Sequence, residues 1–490
     1  MNETFRNRIE VRLKQFDSYL THSNMSHKEY QREGVKWCLI NELRPTTQIK
    51  IRGGFIADEM GLGKTIMVIG LMIANFKPKT LIVLPPVLID QWFTQILKTT
   101  GHKALIYYGE NKKKITIEQL NSACIVLTSY GGVTVTKPQI KNNKLTLLHE
   151  VEWSRIVFDE AHHLRNKKTI VYASAKLLKS EIRWLVSGTP VQNKKTDFYN
   201  LCSMLKMPKS FYSDPANFAT ISRNFILKRT KKQVGIELPE IISVNESVNW
   251  QNRKEMELSE EIHSALSFSR VKSKGRNEGE YPTLLLMLRA KQSCVMPKLM
   301  AASLRKLVEE GVISSYNYFK EALKYSSKID YVIQTILNRK DNEKGKLIFC
   351  HYRDEIDEIA KRLANGGMTN IATFDGRVSN NKRNDIVNEK NNALILQIQT
   401  GCEGLNLQEN YSEIYFVSPH WNPAVEDQAI ARCHRIGQKN IVSVFKFQMS
   451  SFVSEQIDEL GNKINTQTID KYVNVVQDSK REMASKLISN

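Results

Sequence analysis

The sequence predicts an α/β fold with two lobes, each built on a parallel sheet, and a mainly helical insertion between them. Short apolar runs rich in β-branched residues alternate with helical patterns, which is typical of parallel strands covered on both faces. Residues 251–270 and 284–336 carry long amphipathic patterns with few strand signals, which favours helices. The polar, glycine-containing segment 271–280 is predicted to be an exposed loop. The first series of runs comprises residues 81–84, 124–127, 155–158 and 184–186, and the second comprises residues 346–349, 393–396, 413–417 and 442–445.

Length and composition indicate a globular protein that stays inside the cell. At roughly 100–200 residues per domain, a chain of 490 residues is expected to form two or three domains. No run of about 18 apolar residues predicts a transmembrane helix, and the N-terminus lacks the apolar core of a signal peptide. The seven cysteines include no C-x-x-C pair, so we expect free thiols rather than a zinc site or a disulfide framework.

The charge of the chain is strongly positive. Lys and Arg number 71 against 51 Asp and Glu, which gives a formal net charge of +20. Such a charge attracts polyanions, of which nucleic acid is the commonest inside cells. A Lys- and Asn-rich composition can also follow from the base composition of a genome, so the charge alone does not decide the partner.

A glycine loop between a strand and a helix is the strongest local motif. It follows the apolar run 54–57 and precedes the helical pattern 66–74. Glycines let backbone N–H groups turn towards phosphates, and the helix N-terminus adds positive potential. In this arrangement Lys64 reaches the β and γ phosphates and Thr65 binds Mg²⁺. The loop is Asp58-Glu59-Met60-Gly61-Leu62-Gly63-Lys64-Thr65, whose acidic start departs from the general pattern.

Two adjacent carboxylates end the predicted strand 155–158. Asp159 and Glu160 should lie at the carboxyl edge of the sheet, where open α/β folds bind ligands. We expect Asp159 to hold Mg²⁺ through its water shell and Glu160 to orient and deprotonate the attacking water. Asp159 follows Lys64 by 95 residues, so the two motifs occur in the order that a P-loop ATPase requires.

Arg432 and Arg435 form the third motif. Being three residues apart, they are predicted to lie on one helix face. They could reach the γ-phosphate as arginine fingers and stabilise charge in the transition state. The alternative is a pair of arginines on a solvated surface.

Taken together, these motifs resemble those of the Swi/Snf-like DNA translocases of helicase superfamily two. The resemblance runs from about residue 27 to about 447. Three features depart from the family pattern: Lys28 replaces the usual arginine, His163 stands where a basic residue is common, and Cys402 and Glu403 replace smaller residues. The other matching segments are 27–37, 84–86 with 91–92, 128–130, 159–166, 187–193, 227–231 with 238–239, 288–294, 326–329, 374–376, 401–407, 421–424 and 428–438.

The resemblance implies two RecA-like lobes with ATP and magnesium as cofactors. It implies an N-terminal flank 1–26, a first lobe 27–235, a helical insertion or linker 236–325, a second lobe 326–450 and a helical tail 451–490. Magnesium is assigned to Thr65 and Asp159. Nucleotide contacts are assigned to Gln31, Asp58, Glu59, Met60, Gly61, Leu62, Gly63, Lys64, Thr65, Gly404 and Gln428. DNA contacts are assigned to Trp92, Ser129, Phe374 and Trp421.

The function that the resemblance implies is ATP-driven movement along double-stranded DNA. Three alternatives stay open: a strand-separating DNA or RNA helicase, a viral DNA-dependent ATPase that assists transcription, and a nucleotide-binding scaffold without chemistry. The expected partners are duplex DNA and chromatin or transcription machinery, with no membrane, and the expected state is a monomer. The expected location is the nucleus for a cellular protein, and a cytoplasmic replication site or virion for a viral one.

Overall fold

The chain divides into two structural units, each built on a parallel sheet. Unit one comprises Met1–Glu237 and Lys480–Asn490, and unit two comprises Leu238–Ser479. The computed structural model describes residues 3–44, 51–142, 144–188, 195–266, 283–378, 385–386, 389–401, 405–457 and 463–488. The predicted loop 271–280 lies outside the described residues.

Seven parallel strands form the sheet of unit one. All four predicted runs of the first series are strands, and the apolar run before the glycine loop is a fifth. The strand order is β3-β4-β2-β5-β6-β1-β7, and every pairing is parallel. The carboxyl ends of β1, β5 and β6 therefore lie at the same edge of the sheet. The bounds are β1 Arg52–Ile56, β2 Thr80–Leu84, β3 Leu105–Tyr107, β4 Ile125–Ser129, β5 Glu152–Asp159, β6 Lys179–Val186 and β7 Ile226–Leu227.

Helices flank this sheet, and several of them connect successive strands. Short 3-10 helices add Pro86–Leu88, Gly109–Lys113, Ala161–Leu164, Pro215–Asn217 and Lys232–Val234. The α-helices are α1 Glu3–His22, α2 Glu29–Leu43, α3 Lys64–Ala74, α4 Ile89–Thr100, α5 Ile117–Ser122, α6 Tyr130–Val133, α7 Lys137–Lys141, α8 Leu147–Glu150, α9 Ile170–Leu177, α10 Lys195–Met204, α11 Lys209–Tyr212 and α12 Phe218–Phe225.

A buried charge network fastens α2 to the sheet. The carboxylate of Glu42, on α2, accepts hydrogen bonds from the Arg155 guanidinium at 2.6 and 2.7 Å and from the Trp184 indole at 2.8 Å. Asn75 adds a third donor at 2.5 Å. Arg155 and Glu42 have no exposed side-chain surface, so the removal of either partner would leave an uncompensated buried charge. The network fixes α2, which carries Gln31 close to its N-terminus.

Six parallel strands form the sheet of unit two, in the order β10-β11-β9-β12-β13-β8. The four predicted runs of the second series are all confirmed as strands. An antiparallel hairpin of β14 and β15 follows the sheet. The bounds are β8 Ile241–Val248, β9 Gly345–Cys350, β10 Ile371–Phe374, β11 Ala393–Gln397, β12 Tyr411–Phe416, β13 Val442–Met449, β14 Phe452–Ile457 and β15 Lys463–Thr466.

Helices dominate unit two between β8 and β9, as the amphipathic patterns predicted. Their apolar side chains share one core with the sheet. Short 3-10 helices lie at Pro297–Ser303 and Glu321–Lys324. The α-helices are α13 Arg253–Leu266, α14 Thr283–Val295, α15 Leu304–Glu309, α16 Tyr316–Lys320, α17 Ser327–Leu337, α18 Arg353–Asn365, α19 Ile398–Gly401, α20 Pro423–Cys433 and α21 Ile469–Ile488.

Two predicted segments contain strands that the sequence did not predict. The segment 236–325 was expected to be helical, yet β8 lies within it and pairs with β13 over eight residues. Most β8 side chains are at least partly exposed, because β8 is an edge strand of its sheet, and this removes the apolar signal of a buried strand. The tail 451–490 was also expected to be helical, but β14 and β15 precede its helix.

The structure also bears on two expectations from composition. The six cysteines that it describes carry free thiols. Among its described helices, none combines the length and the apolar character needed to cross a membrane.

Candidate active site

The glycine loop connects β1 to α3 at the carboxyl edge of the sheet in unit one. Gly61 and Gly63 adopt positive φ angles of 91° and 79°, which L side chains rarely adopt. Gly63 caps α3, whose first two residues are Lys64 and Thr65. The predicted strand, loop and helix are thus confirmed as a backbone arrangement. N–H groups at this helix start carry the partial positive charge that attracts phosphate.

The acidic start of the loop has a structural explanation. Asp58 is completely buried, and its carboxylate accepts hydrogen bonds from Arg229 Nε at 3.1 Å and Arg229 Nη2 at 2.5 Å. Arg229 also donates to the Tyr30 carbonyl, next to Gln31. Glu59 pairs with Lys231 Nζ at 3.1 Å. The Asp58 carboxylate was assigned to the nucleotide, but it is engaged inside the unit and holds the loop in place.

Lys64 and Gln31 lie against the loop backbone. Lys64 Nζ donates to the Asp58 carbonyl at 2.8 Å, and Gln31 Nε2 donates to the Leu62 carbonyl at 3.2 Å. A Cβ atom at Gly63 would come within 2.4 Å of Gln31 Nε2, so a larger residue would have to displace the Gln31 amide, and the positive φ would strain it in any case. The Leu62 side chain is buried, which leaves its backbone as the part able to contact a nucleotide.

Asp159 is held from both sides at the end of β5. Its Oδ2 accepts a hydrogen bond from Trp92 Nε1 at 2.8 Å, and its Oδ1 accepts one from the Glu160 N–H at 3.0 Å. The Tyr130 hydroxyl donates to the Asp159 carbonyl at 2.7 Å. The orientation of the carboxylate and of the peptide behind it is therefore set by named donors.

Glu160 has an unusual backbone conformation. Its φ of 50° lies in the left-handed region, where a residue other than glycine costs on the order of 1 kcal/mol or more. His162 Nδ1 lies 3.3 Å from Glu160 Oε2. Strain of this kind persists where the surroundings enforce it, and it is concentrated at functional sites.

The electrostatics of Asp159 suit a cation. Burial raises its pKa to about 7, and the negative charge of Glu160 adds to the rise. The indole of Trp92, the Glu160 N–H and the charge of Lys64 act in the opposite direction. A buried carboxylate of this kind gains from a nearby divalent ion, so the residues fit magnesium. Thr65 and Asp159 would hold Mg²⁺, which would supply positive charge to neutralise phosphate.

Gly188, just after β6, lies beside the glycine loop. A Cβ atom there would stand 3.1 Å from Met60 Cγ and 3.6 Å from Lys64 Nζ. Ser187 donates its N–H to the Ile56 carbonyl at 3.1 Å, which ties this segment to the end of β1. Two residues of the predicted motif 187–193 are thus placed at the Lys64 side chain. Residues 189–193 lie outside the described part of the chain.

In unit two, the predicted arginines do not share a helix. α20 ends at Cys433, so Arg432 is helical and Arg435 lies in the turn beyond it. The expectation of one helix face is wrong because His434 leaves the helical conformation, with φ of −88° and ψ of 80°. Arg435 donates to Asn406 Oδ1. Burial, followed by repulsion from Arg432, lowers the pKa of Arg435, so the two cations still lie near each other.

Two further nucleotide contacts were assigned to residues of unit two, Gln428 and Gly404. Gln428 lies on α20 and is only 4% exposed. Its nucleotide contact stays a prediction. Gly404 lies outside the described residues.

The predicted DNA contacts require correction. Trp92, Ser129 and Phe374 are each 2% exposed, which contradicts direct contact through these side chains. Trp92 binds Asp159 instead, and Ser129 accepts the Gly132 N–H at 3.0 Å as the cap of α6. Trp421 is half-buried and packs edge-on against Tyr472 at 6.2 Å between ring centroids. Its contact with DNA stays a prediction.

Sequence reasoning missed the partners that hold the site. Arg229 lies 171 residues from Asp58, and Trp92 lies 67 residues from Asp159. Both belong to segments that were recognised as motifs, yet neither segment identifies the group that its side chain binds. Such pairs become visible only once the sheet brings distant strand ends together.

Two family models match the chain. The SNF2-related domain matches residues 30–220, and the helicase conserved C-terminal domain matches residues 327–437. A solved structure of the Sulfolobus solfataricus SWI2/SNF2 ATPase core in complex with dsDNA is 24% identical in sequence to this chain. The structural alignment covers 94% of this chain and 97% of that one, with a TM-score of 0.39.

Curated relatives are similar over most of this chain. A "Probable global transactivator" of Orgyia pseudotsugata multicapsid polyhedrosis virus is 26% identical to this chain. The alignment covers 94% of this chain and 91% of the viral protein. ATP-dependent DNA helicase DDM1 of Arabidopsis thaliana is 25% identical over 88% of this chain and 60% of its own length. An "Uncharacterized ATP-dependent helicase" of Mycoplasma genitalium is 28% identical, and the alignment covers 89% of this chain and 41% of that protein.

The chain thus spans nearly all of the viral relative but less than two thirds of the two cellular ones. The two matched models together cover more than half of the chain. The first includes the glycine loop and the paired carboxylates of unit one, and the second includes Arg432 and Arg435. This chain belongs to the SNF2-related family, with an SNF2-related domain followed by a helicase conserved C-terminal domain.

Proposed function

We propose that the chain uses ATP and magnesium to move along double-stranded DNA and to remodel or displace bound protein. The observation that carries the ATPase part is the convergence of the Lys64 loop and the Asp159 carboxylate at one edge of the sheet in unit one. In this proposal Lys64 contacts the β and γ phosphates, and Thr65 with Asp159 binds Mg²⁺. Glu160 accepts a proton from the attacking water.

Arg432 and Arg435 complete the proposed chemistry as arginine fingers. A guanidinium stays protonated under all working conditions and pairs well with phosphate oxygens. Arg432 at the end of α20 and Arg435 in the turn beyond it lie near each other, which supports an anion as their ligand, because mutual repulsion is relieved when a negative group lies between them.

The choice of DNA rests on charge and on the relatives. The net charge of +20 favours a polyanion, and two relatives are named as a DNA helicase and a DNA repair protein. Contacts are expected to fall mainly on phosphates, which position a protein without reading sequence. Binding should therefore tolerate any sequence and weaken steeply with salt.

The test is ATP turnover measured with no nucleic acid, single-stranded DNA, duplex DNA and single-stranded RNA. Duplex DNA should give the largest stimulation. Greater stimulation by single-stranded RNA or DNA would refute the duplex proposal and favour a strand-separating helicase.

A second candidate is a viral DNA-dependent ATPase that assists transcription. The observation that favours it is the match in length, because the viral transactivator is covered over 91% of its length. The proposed partners are then transcription complexes rather than chromatin, and the proposed location is a viral replication site or virion rather than a nucleus. ATP-dependent displacement of a stalled polymerase, but not of a nucleosome, would support it.

A further inference from the structure

Two aromatic side chains hold Asp159, and neither belongs to the catalytic set described above. Trp92 lies on α4, where its indole N–H donates to the carboxylate at 2.8 Å. Tyr130 is the first residue of α6, and its hydroxyl donates to the main-chain carbonyl of the same residue at 2.7 Å. One bond thus fixes the side chain, and the other fixes the backbone.

The Trp92 bond is rigid because α4 is anchored. Ile89, Trp92 and Ile96 form the buried face of this helix, so the ring has no freedom to turn away. A buried carboxylate needs donors, and hydrogen bonds to charged acceptors are the stronger ones. Each carboxylate oxygen has two acceptor positions, so Asp159 would keep the capacity to hold Mg²⁺ or its water shell with the indole bond in place.

The Tyr130 bond supports the strained peptide that follows. Ser129 caps α6 by accepting the Gly132 N–H at 3.0 Å, which fixes the start of the helix. The Tyr130 ring contacts the His163 ring at 5.0 Å between centroids, and His163 stacks on His162 at 4.8 Å. His162 lies 3.3 Å from the Glu160 carboxylate. These contacts surround the residue whose φ is 50°.

We propose that Trp92 and Tyr130 are positioning residues: Trp92 sets the orientation of the metal-binding carboxylate, and Tyr130 sets the backbone that presents Glu160. The proposal rests on the proposed ATPase function. It predicts that Trp92 governs metal affinity, whereas Tyr130 governs the rate of hydrolysis.

The first experiment uses Trp92→Phe, which keeps an aromatic ring and removes the N–H. Loss of a partner that orients a ligating residue typically lowers metal affinity by about 10–100-fold. The probe is Mn²⁺ in the presence of ADP, and the readout is the loss of the electron paramagnetic resonance signal of free Mn²⁺. This measurement needs no turnover.

The matched control is Trp153→Phe. Trp153 lies on the same strand as Asp159, is also 2% exposed, and donates its indole N–H to the Leu148 carbonyl at 2.8 Å. Its replacement removes an equivalent buried bond far along β5 from the carboxylates. We expect it to lower thermal stability as Trp92→Phe does and to leave Mn²⁺ affinity unchanged.

The second experiment compares Tyr130→Phe with Tyr172→Phe, whose hydroxyl donates to the Asn200 carbonyl at 3.2 Å. Tyr130→Phe should lower kcat about 10-fold with little change in KM for ATP. The lost hydrogen bond positions the backbone that presents Glu160, so its loss should weaken stabilisation of the transition state and leave ATP binding intact. Tyr172→Phe should change neither constant.

The outcomes separate this inference from the proposed function. Wild-type Mn²⁺ affinity in Trp92→Phe, or equal losses in both tryptophan variants, would overturn the inference. A selective loss in Trp92→Phe supports it, even when duplex DNA fails to stimulate wild-type turnover. That last result would count against the translocase proposal alone.

Discussion

Asp159 and Glu160 are adjacent carboxylates with different surroundings, and this difference fits the two roles proposed for them. Asp159 is buried, and donors hold both of its oxygens, which suits a fixed metal ligand. Glu160 is only partly buried, and its backbone is strained, which suits a base that faces a mobile water. The sequence placed both residues correctly at a strand end, because a buried β-branched run precedes them. It could not reveal the surroundings, because Trp92 and Tyr130 come from other segments.

Glu160→Gln should reduce ATP turnover to background and preserve ATP binding. The amide has the size of the carboxylate but cannot accept the proton of the attacking water. Steady-state turnover together with binding of a fluorescent ATP analogue measures both properties. Glu110→Gln, on an exposed side chain of the same unit, serves as the control. Normal hydrolysis by Glu160→Gln would remove this residue from the mechanism.

Glu255 in unit two should make stability depend on pH. Burial raises its pKa from 4.5 to about 7, although the Ser327 hydroxyl and N–H oppose the rise. Because the folded-state pKa lies above the unfolded value, its stabilising contribution is complete below about pH 4.5 and is lost as the pH rises through 7. The difference corresponds to a free energy of unfolding on the order of 3 kcal/mol.

The measurement is the melting temperature of wild type and Glu255→Gln at pH 5 and pH 8. The amide does not titrate, so only wild type loses the contribution of Glu255 as the pH rises. The variant should therefore be more stable relative to wild type at pH 8 than at pH 5. Glu309→Gln, on an exposed position of the same unit, should show no such gain. An unchanged difference for Glu255→Gln would mean that its carboxyl group titrates normally.

At the scale of elements, the N-terminal flank 1–26 proves to be part of unit one. Arg12 Nη1 donates to the Ala74 carbonyl at the end of α3, and Ser23 Oγ donates to the Thr99 carbonyl near the end of α4. α1 and the residue that follows it therefore satisfy carbonyls at two helix ends, including that of the helix that follows the glycine loop. No motif marks this role, because the contacts join the N-terminal flank to residues more than 60 positions away.

Gly70→Ala should destabilise unit one through α1. A Cβ atom at Gly70 would approach the Phe16 ring to 2.3 Å, so α1 would have to move. Overpacking of this kind costs about 1–3 kcal/mol and outweighs the better helix propensity of alanine, about 1 kcal/mol. Chemical denaturation would show the loss. Gly131→Ala should be near neutral, because a Cβ atom there would lie 3.7 Å from Ser129 Oγ. Equal losses of stability in the two variants would contradict a packing effect at Gly70.

Which elements could be predicted depended on burial. β2 and β12 are buried along their whole length, so their apolar runs identified them as strands in the sequence. β8 is an edge strand with alternating polar residues, and β7 has only two residues. The sequence predicted α20 as a helix, but it did not predict that the helix ends before Arg435, because no glycine or proline marks the turn at His434.

At the scale of the whole molecule, the account requires both units for hydrolysis. Arg432→Ala and Arg435→Ala should each lower turnover strongly while ATP binding survives. Arginine fingers contribute on the order of 10³–10⁵ in rate, and each single change should cost less than this because two residues share the role. The double variant should turn over ATP only slightly more slowly than the slower single variant, since the effects of residues that act as a unit are not additive.

Turnover with saturating duplex DNA measures these effects. Arg305→Ala, on an exposed side chain of unit two, provides the control for loss of one positive charge. Near-normal rates in both single variants would identify the pair as a feature of a solvated surface.

We propose that ATP drives movement along duplex DNA without strand separation, and displacement of a third strand from a DNA triplex measures that movement. We expect ATP-dependent release of the third strand from an otherwise intact duplex, and no release by the Glu160→Gln protein. A third strand that stays bound, while a forked duplex of the same sequence is unwound with ATP, would contradict the proposed movement.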